Sequence, residues 1–256
     1  MKIGMFGYPG DHMGHTKAIY DALLEKGATK IVCLGGLVWS AKSDEEMSPP
    51  CTVLRWLRTH DIPTLTNDTD RQVAGWRLQA LDNTTGYIRK TVRQFLNAIT
   101  REEAQWMYSR PSTLPFEQIL CCTDNLTIDA LFPVPLTQYN ASRLFHVMEQ
   151  KAAFFPSANG PGLIVRKQFD KAIEASNFQD VEEQLDSPKS GVIVGGVLGH
   201  PPLNGNLLWG AVVESDASRV SLVCLDAKTH RAVPEQASLL LQRTTMNWQG
   251  SRENLR

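Results

Sequence analysis

Asp11, His12 and His15 follow one another as Asp-His-x-x-His directly behind an apolar run near the N-terminus. A carboxylate and two imidazoles in so short a stretch are metal-ligand types. Asp68, Asp70, Asp124 and Asn159 stand behind later apolar runs, on loops expected at the same sheet edge. A single-metal site drawn from Asp11, His12, Asn67 and Asp68 is therefore one arrangement to weigh. Two adjacent side chains such as Asp11 and His12 seldom converge on one ion, however. An Asp ahead of a helix is also what an N-cap looks like, and the cap is the favoured reading.

Gly7, Gly10 and Gly14 make a second pattern, G-x-x-G-x-x-x-G, between a strand and a helix. The dinucleotide fingerprint needs G-x-G-x-x-G and an acidic residue ending the next strand, where this chain has Cys33-Leu34-Gly35-Gly36. A helix start still offers N–H groups to an anion, so a small phosphate ligand held without metal stays as a minor alternative. Cys121 and Cys122 fall in an apolar run where thiols pack rather than react. His200 precedes Pro201-Pro202 in a Gly-rich turn with no carboxylate in view, and the G-x-S-x-G elbow is absent.

The elements that must position these groups follow from periodicity. Lys2 to Phe6 and Ile31 to Leu34 are short apolar runs. Between them Ile19, Ala22, Leu23 and Lys26 recur at helical spacing up to Gly27, a natural residue beyond a helix end. Strand, helix, strand in so few residues is a βαβ unit with parallel strands. A loop over Ser40 to Pro50, a helix over Val53 to His60 and a strand over Ile62 to Leu65 come next. Val92, Phe95, Leu96 and Ile99 form one helical stripe within Gly86 to Ile99, and Thr100 with Glu103 spells a capping box. Phe116 to Cys122 and Ala152 to Phe155 read as strands, Ser142 to Gln150 as a helix, and the charged Lys167 to Leu185 as a helical surface insertion. Val192 to Val194, Leu207 to Glu214 and Val220 to Leu225 are strand-like. The chain is expected to form one α/β domain over 1–245, with an insertion near 167–189 and a loose tail over 246–256.

The 256 residues carry 26 Lys+Arg and 27 Asp+Glu, a formal charge of −1. That balance gives no global pull toward nucleic acid, and neither a nucleic-acid partner nor membrane insertion is expected. No apolar run approaches the roughly 18 residues of a membrane span. The opening MKIGMFG lacks the apolar stretch of a signal peptide. Five cysteines, an odd number without C-x-x-C spacing, read as buried free thiols of a cytoplasmic protein.

In order and spacing, KIGMFGYPGD, KIVCLGGLVW, LRTHDIPTLTNDTD, TREEAQWMYSRPSTLPFEQILCC, AAFFPSANGPGLIVRK and VGGVLGHP resemble the small bacterial branch of the calcineurin-like metallophosphoesterase family. The resemblance implies a two-sheet β-sandwich flanked by helices, with a two-metal site at the strand C-termini. Carried across position by position, the ligands are largely missing. The D-x-H pair falls on Gly7 and Pro9, and the bridging Asp on Gly36. The Asn ligand is kept as Asn67, but the following His becomes Asp68. The lone His falls on Thr123, and the final H-x-H on Ser157 and Asn159.

Without the bridging carboxylate and the imidazoles, two divalent ions have nothing to hold them. No dinuclear metal and no cofactor are therefore expected. The retained strand patterning and caps imply a fold reused as a protein-binding accessory or regulatory subunit. The family has a precedent in the trafficking subunit of retromer. The alternative is a phosphoesterase with a rebuilt metal site. Tyr8, Met13, Leu37 and Trp39, on the strand-end loops, are the candidate interface residues.

Overall fold

A computed structural model describes residues 1–38, 48–79, 90–123, 150, 152–156, 163–167, 171–175, 191–193, 207–217, 219–233 and 238–240. Strand β1 (Lys2–Phe6) leads into helix α1 (Met13–Glu25) and strand β2 (Lys30–Cys33), which pairs parallel to β1. This is the expected βαβ unit. His15, Thr16, Ile19 and Leu23 of α1 are buried, the spacing of one helix face. The helix ends in a Schellman motif. Gly27, at φ +91°, donates its N–H to the Leu24 carbonyl, and Ala28 donates to Leu23.

α1 lies very close to the sheet because two strand positions lack a side chain. A Cβ on Gly4 would stand 2.9 Å from the Ala28 Cβ and 3.3 Å from that of Leu23. Strand β9 (Leu207–Glu214) runs antiparallel to β1, and a Cβ on its Gly210 would meet Leu23 Cδ2 at 3.1 Å. With β10 (Arg219–Asp226) and β11 (Ser238–Leu240) the sheet has the order β11-β10-β9-β1-β2.

Helix α2 (Thr52–Thr59) buries Val53, Leu54 and Leu57. Residues 62–65 do not form the expected strand: only Thr64 bridges, parallel, to Cys33. Pro63 lends its carbonyl to the Cys33 N–H but has no N–H to return. Helices α3 (Asp68–Leu78), α4 (Lys90–Ala98) and α5 (Arg101–Tyr108) follow. Phe95 and Ile99 of the expected stripe are buried, and the Thr100–Glu103 capping box is present.

The stretch expected as one strand from Phe116 to Cys122 is a tight hairpin of β3 (Thr113–Phe116) and β4 (Ile119–Cys122). Its turn carries Glu117 at φ +44°, an uncommon conformation for this residue type. Long-range bonds hold it there: Ser215 Oγ donates to the Glu117 carboxylate at 2.8 Å, and Gln118 N–H donates to the Ser215 carbonyl. Strand β5 (Ala152–Phe154) joins parallel to β4, giving the order β3-β4-β5. This second sheet lies over the first, with Cys121 Sγ 3.8 Å from Met5 Sδ.

The charged insertion is not helical at its start. β6 (Leu163–Lys167) and β7 (Lys171–Ala175) form an antiparallel hairpin over five residue pairs, and β8 (Gly191–Ile193) pairs on the other side of β6. Pairing with the apolar β6 overrides the local helical character of the charged segment. The edge strand β8 runs beside β5, so the third group of strands extends the second layer. Of the expected helix over 142–150 only Gln150 is described, as a bend, and the tail over 246–256 lies outside the described residues. All five cysteines are free and buried. No helix among the described residues is long and apolar enough to cross a membrane.

Candidate functional site

Parallel pairing of β1 and β2 delivers two loops to the same sheet edge, and backbone bonds keep them together beyond the strands. Tyr8 N–H donates to the Gly35 carbonyl at 2.8 Å, and Gly10 N–H donates to that of Gly36 at 3.3 Å. Gly36 adopts φ +82°, the left-handed region. A Cβ built there would lie 2.8 Å from Tyr8 Cα and would overlap the tyrosine ring at Cδ1. A Cβ on Gly7 would lie 2.6 Å from the Pro156 Cβ. On Gly35 it would meet Thr123 Cγ2 at 3.1 Å and the Leu65 carbonyl at 3.2 Å. Positions 7, 36, 67 and 123 thus converge, and the space between their backbones is filled by Tyr8, Pro156 and Thr123. Beside Gly7 and Pro9 remains a cavity of about 20 Å³, lined also by Phe6, His15 and Thr16. That is room for about one water.

The carboxylate nearest to this junction comes from a residue outside the aligned ligand positions. Asp70 is fully buried; its Oδ2 accepts from Gly36 N–H at 2.9 Å and from Asn67 N–H at 3.2 Å. Oδ1 accepts from Val38 N–H at 3.0 Å. Asn67 returns the contact, its Oδ1 accepting from Asp70 N–H at 2.8 Å, which completes a capping box at the start of α3. The retained Asn67 is therefore a helix cap here. The signal was available as Asn-x-x-Asp ahead of an amphipathic run. Thr123 is buried, its Oγ1 donating to the Ser112 carbonyl at 3.3 Å.

Asp11 is not the cap of α1. That position is held by His12, with no side-chain capping bond. Asp11 is 5% exposed and lies against the start of α2, near the backbone N–H groups of Cys51, Thr52 and Val53, while its Oδ1 is buried with no hydrogen bond among the described residues. Burial pushes its pKa up to about 7, against the lowering effect of those donors and of Arg55. Ser48 Oγ accepts from Met13 N–H at 3.2 Å, and Ser48 N–H donates to the Asp11 carbonyl. Ser48 thereby caps α1. The Met13 N–H at the start of α1 already has an acceptor in Ser48, which bears on the minor phosphate alternative.

His12 stacks on His15 at 5.3 Å, and His15 meets His230 edge-on at 5.4 Å. Parallel stacked rings do not aim their nitrogens at a common ion. Asp68 is exposed in the first turn of α3. Asp11, His12, Asn67 and Asp68 thus stand in four different settings. No group of three or more metal-ligating side chains occurs among the described residues. The two-metal centre that the fold implies does not fit these residues, because positions 7 and 36 have no space for a ligand.

Of the interface candidates, Tyr8 and Met13 are half-buried, whereas Leu37 is 1% exposed and belongs to the core. It packs inward because Asp70 draws the adjoining Gly36 and Val38 N–H groups into the protein. Trp39, Ser157 and Asn159 lie outside the described residues.

This architecture is that of the calcineurin-like metallophosphoesterases. A metallophosphoesterase from Sphaerobacter thermophilus superposes with a TM-score of 0.62 at 16% identity, covering 88% of each chain. A hypothetical protein from Pyrococcus horikoshii OT3 superposes at 0.58 and 12% identity, over 87% of this chain and 86% of that one. No family model matches the sequence, and no curated protein matches it.

Proposed function

We propose that the protein keeps the phosphoesterase fold as a scaffold, does not hydrolyse phosphate esters, and acts by binding a protein partner as an accessory or regulatory subunit. The observation that carries this reading is the closure of the two ligand loops on each other. Tyr8 stands where a side chain at position 36 would be, and Pro156 where one at position 7 would be. Two-metal hydrolysis requires a bridging ligand between the ions and clear access for the phosphoryl group. Here Asp70 directs both its oxygens at backbone N–H groups, which makes it a tie between loops. With the reacting volume filled, what the scaffold offers is its outer surface.

The test is metal content of the purified protein together with hydrolysis of bis(p-nitrophenyl) phosphate in Mn²⁺. Neither stoichiometric metal nor turnover is expected. Bound metal with turnover that Asp68→Ala abolishes would establish the alternative, a phosphoesterase with a rebuilt metal site.

A further inference from the structure

Six arginines stand on or beside α2, α3 and α5, and among the described residues Arg55 and Arg58 are ion-paired whereas Arg71 and Arg110 are not. Arg55 pairs with Glu103 at 2.7 Å and Arg58 with Glu102 at 2.6 Å. Among the described residues, Arg71 and Arg110 contact neutral groups. Arg71 Nε donates to Thr66 Oγ1 at 3.4 Å and its Nη2 to the Arg110 carbonyl at 3.0 Å. Arg110 Nε donates to the Trp106 carbonyl and its Nη2 to Ser109 Oγ, both at 3.3 Å. A guanidinium carries five N–H donors, so each of these two keeps spare donors in a fixed orientation.

The same spot holds aromatic surface. Arg110 stacks on Trp106 with Cζ 5.0 Å from the ring centroid, and Arg58 approaches the same ring at 5.9 Å. Tyr108 is 53% exposed. Arginine and large aromatic side chains, held in place before the partner arrives, are the groups that anchor protein interfaces.

We propose that this face, centred on Arg71, Trp106 and Arg110, binds an acidic segment of a partner protein, whose carboxylates take the spare guanidinium donors while an apolar residue packs on Tyr108. The proposal rests on the reading of the protein as a binding platform and names the chemistry of its partner. Charge complementarity selects the occupant: two cations that form no ion pair among the described residues, beside aromatic surface, match carboxylates flanking an apolar residue.

The experiment is fluorescence anisotropy with a labelled peptide Asp-Glu-Asp-Leu-Asp-Glu-Asp. Its amide counterpart Asn-Gln-Asn-Leu-Asn-Gln-Asn and a labelled single-stranded DNA serve as competing probes. The acidic peptide is expected to bind, more weakly as salt rises, and the amide peptide not to bind. Arg71→Gln with Arg110→Gln keeps an amide donor for the neighbouring carbonyls and is expected to raise Kd by about tenfold or more. Arg219→Ala, on the distant strand β10, leaves Kd unchanged. Should the glutamine pair unfold, Arg71→Lys with Arg110→Lys keeps the charge and loses the fork, and Kd still rises. The proposal is overturned if the native protein ignores the acidic peptide, if these variants bind it as the native protein does, or if DNA binds as tightly. Turnover with bound metal would remove the platform reading by itself, whereas an inert protein that ignores the peptide removes only this surface.

Discussion

Replacing Gly36 by Ala is the most direct probe of the closed loop junction. The substitution adds one methyl group at a backbone with φ +82°, and it puts that methyl 2.8 Å from the Tyr8 Cα. The left-handed conformation costs a non-glycine residue about 1–2 kcal/mol. Forcing an extra carbon against main chain in a packed interior adds about 1–3 kcal/mol, because Tyr8 is bonded to Gly35 and cannot simply rotate away. The sum is about 3 kcal/mol, which in a chain of this size lowers Tm by about 6–12 °C. Urea unfolding followed by circular dichroism measures it. Gly75→Ala is the control: it lies in α3, its new methyl would find Tyr108 at 3.8 Å, and removing a helical glycine should stabilise by up to about 1 kcal/mol. If Gly36→Ala were as stable as the native protein, Tyr8 would not close the junction. If Gly36→Asp folded normally and took up metal, the reasoning behind the proposed function would fail outright.

Asp70→Asn, which pairs an amide against backbone N–H groups in a buried site, should cost about 2–4 kcal/mol in urea unfolding; Asp68→Asn, two residues earlier and exposed, should stay within about 0.5 kcal/mol. Asp11 has its folded pKa raised from 3.8 to about 7 by burial, so the folded state holds its proton more tightly than the unfolded chain. Its contribution is full below about pH 4 and is lost as pH rises to about 7; Asp11→Asn, which cannot ionise, should therefore gain stability relative to the native protein across that window. Glu103 is pushed up by burial but held below the ordinary carboxylate range by Arg55 and the Thr100 cap. Its contribution is present above about pH 4.5 and fades in acid, so Glu103→Gln should destabilise by about 1–3 kcal/mol at pH 7 and by less at pH 3.

Much of the framework was legible because its signals are local. Lys2 to Phe6, Leu207 to Glu214, Gly27 and the Thr100–Glu103 box each declare themselves within one turn or one strand. The failures share a different cause. The Glu117–Gln118 turn carries no glycine or asparagine and is held by Ser215, almost a hundred residues away. β7 owes its form to β6, and the 62–65 segment keeps a single bridge at Thr64, beside Pro63. At the candidate site, the resemblance places ligand positions on Gly7 and Gly36. It could not say that Tyr8 and Pro156 fill the gap, because that depends on how separate loops meet. Asp11 resembled the cap of α1 but precedes the capping position, and its carboxyl is buried against the start of α2 instead.

The close seating of α1 on the sheet also constrains how this sequence can drift. A Cβ at either Gly4 or Gly210 would run into Leu23, the first at its Cβ and the second at its Cδ2. A smaller residue at 23 would remove one of the two side chains that crowd a methyl at 210, the other being Ile19, yet the same change leaves a cavity while both glycines remain. Any alanine at 4 also confronts the Ala28 Cβ. Each single step at either glycine requires a neighbouring side chain to yield. Positions 4, 23, 28 and 210, spread over β1, α1, the turn behind it and β9, should therefore change together or not at all.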